Sequence, residues 1–424
     1  MLPLCIVSTV DSSEAPEASL ASEASPCLSL LSVRLTRKSV LQLFSSLFNG
    51  ISIGSVLLIA ALGLAIVFGL MGVINLAHGE LMMLGAYTTY VVQNAFKPLG
   101  DPWFATYIIF ALPAAFIVAG FAGLILERGV IRYLYGRPLE TLLATWGVSL
   151  ILRQFVRSVS WGMTIGILLF CLLYFGATWV LRRRPNWAQI RNWAIAILLP
   201  VSAGIAVTTS VLIGKFGSKT LTRPWFSARN VDVTAPAWLR GGIPMGNIQL
   251  PYARLFIIVL TILCLVGVYW FLNRSSWGLR IRAVTQNREM SSCLGIPTDT
   301  VDAITFALGS GLAGIAGCAI TLLGSVGPNL GGNYIVDTFM VVVVGGVGKL
   351  VGSIVAAFAI GTTNYLIGSG TIARMLEPIP PLSEFFTFFA TTSMAKVMVF
   401  ALIIAFLQIR PAGIFPQKGR SVDA

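Results

Sequence analysis

Charged residues are scarce in this sequence of 424 residues. They make up 11% of it, whereas 56% of the residues are hydrophobic and the mean hydropathy is +0.85. An ordinary soluble domain contains about 25% charged residues. A soluble protein of this length has more surface than so few charges can cover. The composition therefore excludes a soluble enzyme, a secreted domain and a disordered chain, and it predicts an all-α, polytopic integral membrane protein.

Residues that usually build metal or redox centres are also rare. His78 is the one histidine, and the six cysteines include no C-x-x-C pair. A His-rich metal site is therefore excluded, and disulfide or metal roles for the cysteines are disfavoured. The run VVVVGGVGKL (341–350) departs from the phosphate-loop pattern, because Lys349 is followed by Leu350 and not by Ser or Thr, and no catalytic motif is found. We therefore expect no enzymatic activity, no bound metal and no cofactor on this chain.

Acidic residues are fewer than basic ones, 16 against 29, so the formal net charge is +13. Such an excess can indicate nucleic-acid binding. Here, however, the basic residues fall in short clusters between apolar runs, as the positive-inside rule predicts for membrane proteins. The expected partner is therefore the lipid bilayer and not a nucleic acid.

Apolar runs long enough for transmembrane helices recur along the chain. A bilayer needs roughly 20 apolar residues per helix. Eleven segments meet or approach this length: 50–70, 76–95, 103–126, 140–157, 162–181, 191–213, 252–272, 301–325, 335–348, 350–369 and 386–407. Segment 335–348 is short, and segment 76–95 begins with His78 and Glu80, which are costly at membrane depth. The sequence thus predicts about ten spans.

The basic clusters give a topology prediction. Five clusters, near residues 34–38, 128–137, 182–184, 274–288 and 410–420, are all expected on the cytoplasmic side. Three apolar segments separate the first cluster from the second, and an odd number of crossings would place these two clusters on opposite sides. We therefore predict that 71–95, which is punctuated by glycines, is a broken element that enters the membrane and returns.

Two polar stretches interrupt the apolar pattern. The first, GVINLAHGELMMLGAY (72–87), carries Asn75, His78 and Glu80, and the second, GSVGPNLGGNYIVDTF (324–339), carries Asn329 and Asn333. Each is either a loop at the membrane surface or a break in a helix whose freed backbone groups line a polar path. A proton relay through His78 and Glu80 is disfavoured, because positions i and i+2 lie on different helix faces. The similar stretches NLAHG and NLGG suggest that the chain has two related halves. The candidate solute pathway consists of Asn75, His78, Glu80, Asn329 and Asn333.

The loop SSWGLRIRAVTQNREMSSCLGIPTDTV (275–301) is the largest predicted cytoplasmic connection. Its rhythm predicts a helix over 279–294 with Ile281, Val284 and Leu294 on one face. Gly295 and Pro297 should end this helix. Such a helix, lying across the cytoplasmic face, is either a docking element for a partner or a solvated connector.

Three stretches make the chain resemble the branched-chain amino acid and urea group of ABC importer permeases, especially the urea-type permease subunit. They are residues 69–87, YGRPLETLLATWGVSLILRQ (135–154) and residues 277–317. The resemblance covers roughly 34–160 and 250–418, the two parts of a predicted transmembrane permease domain. Outside it lie an expected disordered extension (1–33), an inserted helix pair with an external loop (161–249) and a short tail (419–424).

The resemblance implies an ABC importer permease fold in the bacterial cytoplasmic membrane. It also implies three kinds of partner: a second homologous permease, two cytoplasmic ATP-binding subunits and an external solute-binding protein. The loop within 275–300 corresponds to the family's coupling helix, which docks on the ATPase. The residues expected to carry that coupling are Arg282, Ala283, Asn287, Glu289 and Gly295.

The scarcity of charge in the spans favours a small neutral solute, because a zwitterion needs both of its charges compensated. Urea requires only hydrogen-bonding groups, which Asn, Ser and Thr side chains and freed backbone groups provide. ATP-driven import of urea, the function that the resemblance to the urea-type subunit implies, is therefore the expected function. Import of branched-chain amino acids or other small amides is the main alternative, and a stand-alone channel or ion-coupled transporter is a further one.

Overall fold

The computed structural model describes residues 17–183, 187–216, 225–226, 230–245, 248–376 and 380–415. Within these residues the fold is helical apart from one short β-hairpin, Gly242–Met245 (β1) paired antiparallel with Ile248–Pro251 (β2). The helices are α1 (Glu17–Met71), α2 (His78–Phe96), α3 (Asp101–Phe104), α4 (Tyr107–Gly129), α5 (Pro138–Ser158), α6 (Trp161–Arg182), α7 (Trp187–Phe216), α8 (Tyr252–Arg274), α9 (Ser276–Gln286), α10 (Arg288–Cys293), α11 (Thr298–Thr321), α12 (Leu330–Gly345), α13 (Leu350–Gly368), α14 (Thr371–Met375), α15 (Pro380–Phe388) and α16 (Thr392–Ile409). Three short 3-10 helices cover Lys97–Leu99, Ile131–Leu134 and Ala237–Leu239.

Eight helices in the described part of the chain are long and apolar enough to cross a membrane. They are α4, α6, α8, α11, α13 and α16, together with Gln42–Met71 of α1 and Ala196–Ile213 of α7. The remaining three predicted segments also form helices. Helices α2 and α5 are long enough but not among the eight apolar spans, and α12 is an apolar helix of only 16 residues. The predicted all-α membrane architecture with about ten spans is confirmed.

Glycines in helix α11 bring its backbone against three other helices. A Cβ on Gly309 would lie 2.7 Å from the Gly63 carbonyl oxygen of α1, and one on Gly314 would lie 2.3 Å from the Ala115 oxygen of α4. A Cβ on Gly317 would meet the Met82 oxygen of α2. Within lipid, helices associate through such close packing of small residues because burial of apolar surface gives little driving force. Helix α11 is therefore the centre of the bundle.

The two ends of the bundle can be distinguished by their contacts. At the first end, which we call the α9–α10 end, Leu70 of α1 packs beside Ile281 and Val284. Arg132, just after α4, forms an ion pair there with Asp299 at the start of α11. At the opposite end, Asn49 of α1 donates a hydrogen bond to the Tyr365 hydroxyl of α13 (3.0 Å). Helices α1 and α4 therefore both run toward the α9–α10 end.

These directions correct the predicted topology. Helix α2 is one unbroken helix that leads away from the α9–α10 end, because Phe96 stacks on Phe110 near the start of α4 (ring centroids 5.5 Å apart). The segment after α1 therefore crosses and does not return. The prediction that the cluster at 34–38 shares a side with 128–137 is wrong, because an odd number of crossings separates them. The positive-inside rule failed here because it is statistical and ignores packing.

The two similar stretches occupy equivalent places after the two breaks. NLAHG (75–79) leads into α2, and NLGG (329–332) leads into α12. Helix α1 runs toward the α9–α10 end and α2 leads away from it. In the second half, α11 leads away from that end, and α12 runs toward it, since Gly348, just after α12, contacts Gly69 of α1. The two halves thus have opposite directions, as in inverted repeats of transporters.

The inserted region 161–249 forms a hairpin of helices, α6 and α7, that pack chiefly against each other. A Cβ on Gly166 would lie 3.2 Å from the Ser210 Cβ atom at their contact. Their outer faces carry exposed apolar side chains such as Leu172 (70% exposed) and Phe175 (63% exposed). These faces suit lipid.

The first helix differs from the expected disorder of residues 1–33. It begins at Glu17, so the second half of that segment is helical, and residues 1–16 lie outside the described part. Residues 17–33 contain several Ala, Glu and Leu residues, which have high helix propensity and extend the membrane helix backward.

Candidate functional site

A break of six residues separates α1 from α2, and it lies inside the bundle. Gly72 adopts a left-handed conformation (φ +69°), which turns the chain sharply after α1. Two freed backbone amides in the break find side-chain acceptors. The Leu76 N–H donates to Thr145 Oγ1 (3.2 Å), and the Ala77 N–H donates to Asn75 Oδ1 (3.0 Å). Asn75 is 1% exposed, so this stretch is a buried helix break and not a surface loop.

His78, the first residue of α2, is fully buried against α1. Its Nε2 atom is 3.1 Å from the Ala60 carbonyl oxygen, and its ring would contact a Cβ placed on Gly63. These contacts hold the start of α2 against the middle of α1. Glu80 has its hydrogen bonds with other residues, so the arrangement gives no direct His78–Glu80 relay.

Glu80 is the centre of a buried polar cluster. It is 1% exposed, and its Oε1 atom accepts hydrogen bonds from Arg153 Nη2 (2.6 Å), Arg153 Nε (3.2 Å) and Ser149 Oγ (3.1 Å). Its Oε2 atom is buried and has no hydrogen-bond partner among the residues that the structure describes. A buried carboxylate without a cation would be very unfavourable, so Arg153 of α5 stabilises Glu80 at this depth.

The N-terminal ends of α2 and α12 meet at this cluster. A Cβ on Gly79 would clash with the Gly331 carbonyl oxygen, so only glycine fits at this contact. A Cβ on Gly331 would lie 2.7 Å from Glu80 Oε2. The carboxylate therefore lies where two helix N-termini converge, and both helix dipoles favour a negative charge there.

Helix α5 contributes a polar stripe that sequence reasoning missed. Thr141, Thr145, Ser149, Arg153 and Arg157 recur at every fourth position, which places them on one helix face. Thr145 accepts a hydrogen bond from the Leu76 N–H in the first break. Ser149 and Arg153 both donate hydrogen bonds to Glu80. Arg157 Nη2 donates to Asn329 Oδ1 (2.7 Å). The spacing itself was the signal that would have identified them.

A cavity of about 330 Å³ adjoins this junction at the second break. Asn329 and Asn333, both predicted as pathway residues, line it. The rest of its lining is Asn230, Ile320, Leu323, Gly324, Ser325, Gly327, Leu330 and Tyr334. The cavity thus combines amide and hydroxyl groups with an aliphatic side.

A second ion pair supports α12 beside the cavity. Lys396 of α16 lies 2.7 Å from Asp337 Oδ2 and donates to the Asn333 carbonyl oxygen (3.2 Å). The Asp337 side chain is 5% exposed and that of Lys396 is 31% exposed. Each helix that follows a break therefore carries a buried carboxylate paired with a cation from a neighbouring helix.

These ion pairs overturn the premise that the membrane spans lack charges able to compensate a zwitterion. Arg153, Arg157 and Lys396 supply cations close to the cavity, and Glu80 and Asp337 supply anions. The argument for a neutral solute from a shortage of charge is therefore wrong. It failed because a count of charges along the spans does not show which of them folding brings together at one site.

The predicted docking helix over 279–294 is two helices, α9 and α10, separated at Asn287. The Asn287 side chain caps α10 by accepting from the Met290 N–H (2.9 Å), and this cap stops α9. Ile281 and Val284 are buried on one face, as predicted, but Leu294 is 75% exposed because the break reorients α10. Gly295 has φ +81° and follows α10, as predicted.

The other predicted coupling residues lie along the same loop. Arg282 is exposed and its Nη1 atom donates to Asn273 Oδ1 (2.9 Å). Ala283 is partly buried, and Glu289 is exposed in the first turn of α10. Arg288 lies 2.7 Å from the largely buried Asp302 of α11. The loop is therefore attached directly to the central helix.

Packed apolar helices, two internal breaks that meet, and an exposed loop joined to the central helix define a membrane permease. Comparison with known proteins agrees. The family described as "Branched-chain amino acid transport system / permease component" matches residues 46–407. The chain belongs to this family, and it is a multi-pass protein of the bacterial inner membrane, a permease component of such a transport system.

Individual relatives are similar over most of their length. The chain is 23% identical to the high-affinity branched-chain amino acid transport permease LivH of Escherichia coli K12, over 88% of this chain and 96% of that protein. It is 24% identical to BraD of Pseudomonas aeruginosa, over 87% and 94%. It is 23% identical to the probable LivH of Methanocaldococcus jannaschii, over 74% and 77%. No solved structure matches the chain significantly.

Proposed function

We propose that this chain is the membrane-spanning subunit of an ATP-driven importer and that it translocates branched-chain amino acids. The observation that carries the proposal is the meeting of the two helix breaks at Gly79 and Gly331, beside a polar cavity. Broken helices expose backbone groups to which a passing solute can form hydrogen bonds. The ion pairs nearby stabilise these broken helices within the membrane.

The substrate class is supported by the relatives and by the cavity. The similar proteins are named as branched-chain amino acid permeases. A site for an amino acid zwitterion needs a cationic group for the carboxylate, an anionic group for the ammonium and an apolar surface for the side chain. Arg157 and the free oxygen of Glu80 are candidates for the first two, and Ile320 and Leu323 line the aliphatic side of the cavity. The solute pathway would thus include Asn75, His78 and Glu80 on one side and Asn329 and Asn333 on the other.

Urea remains the second candidate. The stretch YGRPLETLLATWGVSLILRQ (135–154), which resembles the urea-type subunit, forms most of α5, and α5 supplies Ser149 and Arg153 to the polar cluster. A specificity difference located on this helix would act directly at the junction. The neutral amides of Asn329 and Asn333 also suit a small amide.

Energy would come from separate ATP-binding subunits docked on α9 and α10. Leu279, Met290 and Leu294 are 64%, 61% and 75% exposed on these helices, which is unusual for a loop in contact only with water. Arg282, Ala283, Asn287, Glu289 and Gly295 would shape this contact. A second homologous permease and an external solute-binding protein would complete the complex, and this chain would bind no cofactor.

Transport assays in proteoliposomes test both parts of the proposal. The complete complex, with binding protein outside and ATP inside, should accumulate labelled leucine, and unlabelled urea in excess should not compete. Competition by urea and not by valine would instead favour the urea importer. Accumulation against a gradient by this chain alone, without the ATP-binding subunits, would contradict the proposal.

A further inference from the structure

A segment of the inserted region lies directly on the candidate solute cavity. We call residues 230–240 the outer strap. Val231 and Val326 form an antiparallel bridge in which each N–H donates to the other's carbonyl oxygen, at 2.7 and 2.8 Å. Val326 belongs to the loop between α11 and α12, the second helix break. The strap is therefore attached to the same loop that forms part of the cavity wall.

The strap is also attached to the opposite end of the bundle, away from α9 and α10. The Thr234 carbonyl oxygen accepts from both Gln93 Nε2 of α2 (3.1 Å) and the Tyr107 hydroxyl of α4 (2.9 Å). The Trp238 indole N–H donates to the Ala105 carbonyl oxygen (2.7 Å). These contacts connect the strap to α2 and to the start of α4, in the first half, whereas the Val231 bridge connects it to the loop between α11 and α12, in the second half.

Asn230 brings the strap into the cavity itself. Its Nδ2 atom donates to Ser325 Oγ (3.3 Å), and its Oδ1 atom lies so close to Gly327 that a Cβ there would clash with it. Both of these neighbours line the cavity, as Asn230 does. Its side chain offers one acceptor and two donors, which match the polar groups of an amino acid or an amide.

We propose that the outer strap is the external wall of the solute cavity, that Asn230 contacts the solute, and that the Val231–Val326 bridge opens to admit it. This inference rests on the proposed function. A bridge of two hydrogen bonds is weak enough to open repeatedly, while the contacts of Thr234 and Trp238 retain the strap on the first half. The inserted region would thus set solute access to the cavity.

A reversible cross-link tests the opening. Val231 and Val326 are replaced by cysteine together, in a chain whose native cysteines are replaced by alanine: Cys5, Cys27, Cys171, Cys264, Cys293 and Cys318. Residues of a hydrogen-bonded antiparallel pair are about 5.5 Å apart at Cα, within the range of a disulfide. Oxidation, verified by loss of free thiols, should lower ATP-driven uptake by about tenfold or more, and reductant should restore it. The two single-cysteine variants are the matched controls and should be insensitive to oxidant.

A second variant tests the contact with solute. Asn230→Ala should raise the half-saturating solute concentration by about five- to tenfold, as expected for one lost hydrogen bond, with unchanged ATP hydrolysis. Asp232→Asn, at an exposed strap position that does not line the cavity, should leave it unchanged.

Each result has one meaning. Equal uptake by the oxidised and reduced double-cysteine protein would overturn the opening, and equal half-saturation for Asn230→Ala and the unmodified chain would overturn the contact. If solute uptake is normal in the reduced double-cysteine complex, or in the Asn230→Ala complex, while one of these expected effects is missing, the proposed function survives without this inference. If the complete complex with the unmodified chain accumulates no solute at all, the proposed function fails and this inference fails with it.

Discussion

The buried pair between Glu80 and Arg153 makes a quantitative prediction, because its two members are unequally exposed. Glu80 is 1% exposed, whereas the Arg153 side chain is 27% exposed. Arg153→Met leaves a carboxylate buried without a cation, and breaking a buried pair in this way costs about 3–5 kcal/mol. Glu80→Gln leaves a cation whose side chain is 27% exposed and an amide oxygen that can still accept from Ser149. Its cost is therefore smaller, about 1–2 kcal/mol.

The double variant Glu80→Gln/Arg153→Met removes both charges and separates pairing from packing. Because no unpaired charge remains, its free energy of unfolding should lie within about 1 kcal/mol of that of Glu80→Gln. The measurement is unfolding in mixed detergent micelles, followed by circular dichroism for the unmodified chain, both single variants and the double variant. Arg157→Met is the matched control on the same helix face, since its partner Asn329 is neutral and only about 1 kcal/mol should be lost.

Two outcomes would refute the reasoning. If Arg153→Met is no less stable than Glu80→Gln, then Glu80 is not held as a buried ion by Arg153. If the losses of the two single variants add in the double variant, the side chains do not interact energetically, whatever their distance.

The remaining predictions concern the second ion pair, the helix junction and the docking surface. Lys396→Met should lower the free energy of unfolding by about 3–5 kcal/mol, measured in the same micelles, because its carboxylate partner is 5% exposed. Gly79→Ala should lower the free energy of unfolding by about 1–3 kcal/mol, since its Cβ would clash with the Gly331 carbonyl oxygen. Gly147→Ala should not lower it, because in the described part of the chain no group beyond its own helix turn lies within 4 Å of the added Cβ. Met290→Asp and Leu294→Asp should reduce copurification of the ATP-binding subunits without reducing the yield of the permease in the membrane. Full copurification would place the docking surface elsewhere.

Much of the fold was predictable because membrane burial imposes strong rules. Each span needs a long apolar run, and all eleven predicted segments form helices. The break before α2 was also predictable, since Asn75, His78 and Glu80 interrupt an apolar pattern. The side of the membrane on which α1 begins was not predictable. It is fixed by the packing of α1 against α8, α11 and α13, and no local sequence pattern shows that packing.

The candidate site was only half predictable. Glu80 and Asn329 stand out in sequence because they are polar among apolar neighbours. Arg153 and Lys396 do not stand out in this way. Each lies near a helix end, where a charged side chain is ordinarily expected to be solvated. Their partners are 73 and 59 residues away in sequence, and only the folded chain brings them together. The four-residue spacing of the α5 stripe was visible but went unused.

The central claim is that solute passes the junction of α2 and α12, and protection from labelling tests it most directly. Asn333→Cys is introduced into the cysteine-free chain within the assembled complex, and the rate of its reaction with a small, charged thiol reagent is measured. A saturating concentration of the transported solute should slow this reaction severalfold, while a solute that is not transported should leave it unchanged. An unchanged rate in a complex that actively imports the solute would place the pathway elsewhere.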